Sequence, residues 1–190
     1  MTSFTKAHDG PWWDTGVLDR GAHGQLVADL DAHARRSGLG RAIECVWQPY
    51  SAIVSPEERQ WVAQVVRKQN APCLRYGGRL NLVLDRWREM VGALIRNFVD
   101  ARIMTVDEIA SAVFDDEEDM EAGALFIPDL LIPGETEHKH ERARLAIVGV
   151  LRKRLIERQP TVVFAQKTVL QPYGAAFHAQ ISGFLSAGDA

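Results

Sequence analysis

Two adjacent glycines, Gly77 and Gly78, close a short run from Cys73 to Tyr76 and precede a long amphipathic segment. In a parallel α/β sheet the first strand-to-helix turn is the usual phosphate cradle, because it lies beyond the strand's carboxyl end. A working cradle of the P-loop kind reads G-x-x-x-x-G-K-[ST]. Here the stretch is Tyr76-Gly77-Gly78-Arg79-Leu80-Asn81-Leu82-Val83-Leu84. The lysine would place a charge on the β- and γ-phosphates, and the hydroxyl would ligate magnesium. Val83 and Leu84 do neither. By themselves the glycines read as a tight turn at a strand end.

The remaining polar groups suggest little catalysis. His138-Lys139-His140-Glu141 follows Pro133-Gly134 in a polar stretch with no cysteine near, which favours a surface loop over a zinc site. His8, His23, His33 and His178 form no constellation with a nucleophile. Cys45 and Cys73 are too few for a disulfide framework or a zinc site and read as reduced thiols of a cytoplasmic protein. The run Asp115-Asp116-Glu117-Glu118-Asp119 reads as a solvated loop. The segment from Glu141 to Arg158 is basic and has two readings. It is a solvated helix face, or Arg152, Lys153, Arg154 and Arg158 contact phosphates of single-stranded DNA. No aromatic residue stands beside them to stack bases.

These residues must be held by a scaffold, and the scaffold is legible. At 190 residues, with 46% hydrophobic and 25% charged residues, the chain has the material of one globular domain with a short appendage. Its longest apolar stretch, Ala124 to Ile132, is broken by Pro128 and Asp129 and is far short of the ~20 residues of a membrane span. The N-terminus lacks the apolar core of a secretory signal. A net charge of −3 argues against non-specific nucleic-acid binding by the whole surface.

Ser55-Pro56-Glu57-Glu58 has the grammar of a helix start, with Trp61, Val62, Val65 and Val66 on one face. Pro72 to Tyr76 reads as a strand. Leu84, Trp87, Val91, Leu94, Ile95 and Phe98 then keep helical spacing, so Trp61 and Trp87 belong to the core. Arg102 to Thr105 reads as a strand, and Thr105-Val106-Asp107-Glu108 as a second capping box. Ala124 to Ile127 is a strand buried on both faces. Leu145, Val148, Leu151, Leu155 and Ile156 mark a long helix, Thr161 to Phe164 a strand, and Gly174 to Leu185 a last helix. Strands alternating with helices predict an α/β fold, a parallel sheet with helices on both faces.

Residues from Cys45 to Leu185 resemble the AAA+ domain of bacterial replicative-helicase loaders of the DnaC type and transposition ATPases of the IstB type. The resemblance rests on Cys45-Val46-Trp47-Gln48-Pro49-Tyr50 ahead of the first helix and on Cys73-Leu74-Arg75-Tyr76-Gly77 leading to the phosphate loop. It continues through Arg102-Ile103-Met104-Thr105-Val106-Asp107-Glu108-Ile109, Ala124-Leu125-Phe126-Ile127-Pro128-Asp129-Leu130 at the Walker B place, and Arg158 to Phe164 entering the sensor strand. It implies a P-loop three-layer sandwich.

The departures from that family's pattern carry as much information. Val83 and Leu84 stand at the Walker A lysine and hydroxyl, and Pro128 at the magnesium-organising aspartate, with Asp129 at the second acid. Ala165-Gln166 replaces the sensor pair, and Ser182-Gly183 stands where the arginine finger falls. The sheet is expected to be truncated, with its C-terminal strand short or absent. Phosphoryl transfer depends on those groups for positioning and charge stabilisation. The resemblance therefore implies a pseudo-ATPase without cofactor or metal. Its expected role is to bind a replicative helicase or another AAA+ subunit in DNA replication or mobile-element biology. A structural adaptor of a nucleoprotein complex, or a divergent ATPase using Gly77, Gly78, Arg79 and Asp129, are the other readings.

Residues 1–44 are expected to form a partner-binding appendage, and 45–190 the AAA+-like domain. Adjacent Trp12 and Trp13 precede a helix from about Ala22 to Arg36 with a narrow face of Leu26, Val27, Leu30 and Ala34. Ser37-Gly38-Leu39-Gly40 stops it. The tryptophans either anchor a partner or pack back on the domain.

Overall fold

Local capping decides where several elements begin. The computed structural model describes residues 18, 21–114, 121–128, 130, 137–165, 179, 181 and 183–189. Ser55 opens α3 (Pro56–Val66) with the predicted capping box: its Oγ accepts from the Glu58 N–H at 3.2 Å, and Glu58 Oε2 accepts from the Ser55 N–H at 2.7 Å. Thr105 opens α5 (Val106–Phe114) in the same way with Glu108. The helix expected near residues 22–36 is two short ones, α1 (Gly24–Ala28) and α2 (Leu30–Ser37). α2 ends at Gly38, whose φ of +71° is the left-handed stop that the glycine predicts. A 3₁₀ segment follows over Gly40–Val46.

The strands are β1 (Leu74–Gly77), β2 (Ala101–Ile103), β3 (Ala124–Ile127), β4 (Thr161–Phe164) and β5 (Leu185–Asp189). The long helices are α4 (Leu80–Arg96) and α6 (Glu137–Ile156). One sheet has the order β2-β3-β4-β1-β5. β1 runs parallel to β4, with Leu74 opposite Val162 and Tyr76 opposite Phe164. β3 is parallel to β4, and β5 to β1. Every residue of β3 and β4 is buried, as strands covered on both faces must be.

The C-terminal strand is a correction. Leu185–Asp189 forms a five-residue edge strand, not a short or absent one, and the Leu185 N–H donates to the Cys73 carbonyl at 3.0 Å. Leu185 therefore opens a strand instead of ending a helix. Most of the expected last helix lies outside the described residues.

The division of the chain also differs from a boundary at residue 44. Two compact units form, one of Met1–Asn70 with Leu84–Ile103 and the other of Ala71–Val83 with Met104–Ala190. In the first unit, Leu26, Ala34, Leu39, Trp61 and Trp87 are buried. The buried Arg96 side chain donates from Nη1 to the carbonyls of Cys45, Val46 and Gln48 at 3.0–3.2 Å. This closes the C-terminal end of the 3₁₀ segment with a positive charge. His23, fully buried, donates from Nε2 to the Arg96 carbonyl at 2.7 Å and stacks on Phe98. A Cβ at Gly38 would stand 2.2 Å from the Ile103 carbonyl oxygen, so only glycine fits there. In the second unit, α5 and α6 pack Val106, Ile109, Ile147, Val150 and Leu151 with Leu125, Ile127 and Val163 of the sheet.

Candidate functional site

The strand order marks one place for a ligand. From β1 the chain leaves toward the β2 edge, and from β4 it leaves toward the β5 edge. The carboxyl ends of these adjacent strands therefore flank the crevice where open parallel sheets bind ligands. The residues there belong to the second unit.

The turn after β1 is only Gly78 and Arg79. Gly78 has φ +85°, which a glycine adopts freely, and both residues are exposed. α4 is already wound from Leu80, and the Leu82 and Val83 N–H groups both donate to the Arg79 carbonyl, at 3.1 and 3.2 Å. A phosphate cradle needs those N–H groups free and turned toward the ligand. Here helix geometry consumes them. Val83 is fully buried and Leu84 half-buried, so both serve packing.

The neighbouring strand ends are equally plain. β3 runs out through Ile127 into Pro128, also buried, which presents no carboxylate. After β4 the Ala165 N–H donates to the Tyr76 carbonyl at 3.0 Å, tying the two strand ends together with a methyl side chain. Asp129, Gln166 and Ser182 lie outside the described residues. Among the described residues, no group of three His, Cys, Asp or Glu is placed to hold a metal ion. Residues His138-Lys139-His140 begin α6, where the sequence suggested a loop.

The basic set on α6 is split by the structure. Arg152, Lys153 and Arg158 are exposed. Arg154 is 1% exposed, and its burial removes it from any nucleic-acid surface. It donates from Nε to Thr161 Oγ1 at 3.0 Å, from Nη1 to the Ala122 carbonyl at 2.8 Å and from Nη2 to the Pro160 carbonyl at 2.8 Å. Burial pushes its guanidinium down to about 10, so it stays charged at neutral pH. No local pattern signals this burial, because the acceptors come from segments outside the helix. The apolar stripe is corrected with it. Leu145 and Ile156 are 60% and 72% exposed, and the buried side is instead Ala143, Ala146, Ile147, Val150, Leu151 and Arg154.

The two thiols are poor nucleophiles: burial pushes both Cys45 and Cys73 above the ordinary range, with Glu89 adding to the shift at Cys45. Of the expected partner-binding residues, Trp12 and Trp13 lie outside the described residues. Leu26 is 6% exposed and is a core residue of the first unit, while Val27 and Leu30 are half-buried. A cleft of about 510 Å³ in that unit is lined by Leu26, His33, Arg36, Ile95, Phe98 and Asp100 among others. Nothing in the sequence pattern marked it, because its walls come from the α1–α2 region and from the distant end of α4. Among the described residues no helix is long and apolar enough to cross a membrane.

No protein-family model matches this sequence, and no curated protein matches it. Among solved structures, the chain is similar to AMPPCP-bound DnaA from Aquifex aeolicus, with a TM-score of 0.52 and 9% identity. The likeness covers 68% of this chain and 44% of that one, so the chain spans less than half the length of that protein. Together with the parallel sheet, the likeness shows an α/β fold shared with that protein. At 9% identity it speaks for the fold alone and does not single out the loader or transposition types.

Proposed function

We propose that this chain is a non-hydrolysing, helicase-loader-like protein that binds a replicative helicase or an active AAA+ partner and recruits or regulates it. The observation that carries this reading is the turn between β1 and α4. Two residues separate strand from helix, and the Leu82 and Val83 amides are bonded to the Arg79 carbonyl. Hydrolysis of a nucleoside triphosphate needs a charged cradle and a metal-organising carboxylate. At the described stations this chain offers Val83, Leu84 and Pro128. A fold kept without its chemistry is useful for its surfaces. The DnaA-like architecture favours DNA replication as the setting, an inference by analogy of fold.

Two measurements test the reading. Calorimetric titration with magnesium and ATP should give no binding heat, and tight magnesium-dependent binding would restore the divergent ATPase built on Gly77, Gly78, Arg79 and Asp129. Affinity capture from the native host should recover a replicative helicase or an AAA+ protein. Recovery of a nucleoprotein complex containing neither would move the reading to a structural adaptor. We expect Trp12 and Trp13 to anchor the partner, so that Trp12→Ala with Trp13→Ala weakens that complex by about 2 kcal/mol or more.

A further inference from the structure

α6 carries a second face that the core of its unit does not use. Leu145 and Ile156 are the two most exposed large hydrophobic residues among those described, at 60% and 72%. Positions 145, 149, 152 and 156 recur at intervals of four and three, so they line one side of the helix. Leu145 and Ile156 stand about 16 Å apart along its axis. Between them a Cβ at Gly149 would meet nothing within 4 Å, and Arg152 and Lys153 are exposed. Of the other charged groups near this face, Glu157 and Arg158 are exposed at its end and Arg144 is half-buried. Among the described residues of this face the balance is positive.

We propose that this face docks an acidic amphipathic helix of a protein partner. Its chemistry would be two large apolar side chains about three turns apart, with Asp or Glu between them to meet Arg152 and Lys153. The proposal rests on the reading of the chain as a binding protein and names the chemistry of one partner segment. Charge complementarity selects the acidic occupant, the apolar ends anchor it, and bare Gly149 lets a helix backbone approach. A nucleic acid would use the two basic side chains but gain nothing from Leu145 and Ile156, which cannot stack bases. A membrane surface needs a continuous apolar face, and here two charges interrupt it.

The test uses the full chain and fluorescence anisotropy with four probes. These are a helical peptide with leucines eleven residues apart and glutamates between them, the same peptide with lysines for glutamates, its scrambled form, and oligo-dT. Vesicles of phosphatidylglycerol and phosphatidylcholine are assayed by co-sedimentation. The acidic peptide should bind saturably and the other peptides should not. Leu145→Glu with Ile156→Glu should weaken it by about tenfold or more, and Arg152→Glu with Lys153→Glu by a similar factor with loss of its salt dependence. Circular dichroism checks the folding of each variant. Leu145→Ser with Ile156→Ser, which adds no charge, should weaken the peptide too and replaces the glutamate pair if that pair perturbs folding. Failure of the acidic peptide to outbind its scrambled form would overturn the proposal. So would oligo-dT or vesicle binding that needs Arg152 and Lys153 but ignores Leu145 and Ile156. Either result leaves the nucleotide titration untouched, so this proposal can fail separately from the pseudo-ATPase reading.

Discussion

The two ends of the sheet in the second unit are built from opposite materials. At the carboxyl end, where parallel sheets hold ligands, stand Gly78, Arg79, Pro128 and Ala165, with no carboxylate at Pro128 and with the Leu82 and Val83 amides bonded to the Arg79 carbonyl. At the amino end, Arg154 clasps Ala122 ahead of β3 and Pro160 and Thr161 at the start of β4. Cys73 adds a long thiol contact to the Gln159 carbonyl at 4.0 Å. The buried polar network lies at the end that ligands do not use. A buried charge with each of its three nitrogens engaged fixes how these segments meet.

The largest expected effect breaks the amino end. Arg154→Ala strands buried acceptors at Ala122, Pro160 and Thr161 and opens a cavity, and should cost about 3 kcal/mol or more in urea unfolding. Arg152→Ala, one face away, should stay within about 0.5 kcal/mol. Equal losses would mean that the clasp contributes nothing.

Next comes a graft at the carboxyl end. Val83→Lys with Leu84→Thr restores the missing residue types, yet the amides remain bonded within α4. The double variant should gain no calorimetric heat with magnesium and ATP. It should lose about 2 kcal/mol or more of stability, because the lysine enters a fully buried position. Gain of nucleotide binding would show that the turn rewinds readily.

Smaller effects sharpen the contrast between the two strand-to-helix turns. Thr105→Ala removes the capping box of α5 and should cost about 1 kcal/mol. Arg79→Asp supplies α4 with a capping acid beside its positive end and should raise stability by about 0.5–1 kcal/mol, read as an upward shift in melting temperature. The least effect is a pH shift. Burial holds the Cys73 thiol protonated above its ordinary range, so the stability it contributes is complete below the unfolded thiol's pKa and is lost as pH rises through the folded value. In a Cys45→Ser variant, iodoacetamide labelling of the native chain should accelerate at higher pH than labelling of the urea-unfolded chain. Coincident profiles would place Cys73 in water.

Much of the fold was local and therefore legible. Ser55-Glu58 and Thr105-Glu108 are boxes closed within four residues, and Gly38 stops a helix through its own φ. Ala124 to Ile127 and Thr161 to Phe164 announce buried strands by composition, because a strand covered on both faces has few polar positions. The absence of a lysine and hydroxyl at Val83 and Leu84 was also readable, since motif chemistry depends on residue type.

Other features depended on partners outside the local pattern. Nothing near Arg154 foretells that its acceptors come from residues 122, 160 and 161, and a basic helix ordinarily keeps its arginines in water. Placing Arg154 inward turned Leu145 and Ile156 outward, so the helix rotated relative to its apparent apolar stripe. Leu26 passed from expected interface to core because α1 and α2 belong to the same unit as most of α4. β5 was hidden in Leu-Ser-Ala-Gly-Asp, whose strand propensity is low, and only pairing with β1 makes it a strand. The sequence by itself determined the caps, the buried strands and the lack of a lysine or hydroxyl at Val83 and Leu84, since each resides in a few neighbouring residues. Which arginine is buried, which face of α6 meets water and where the sheet ends were decided by tertiary structure alone, because only long-range packing weighs the desolvation of one group against the burial of another.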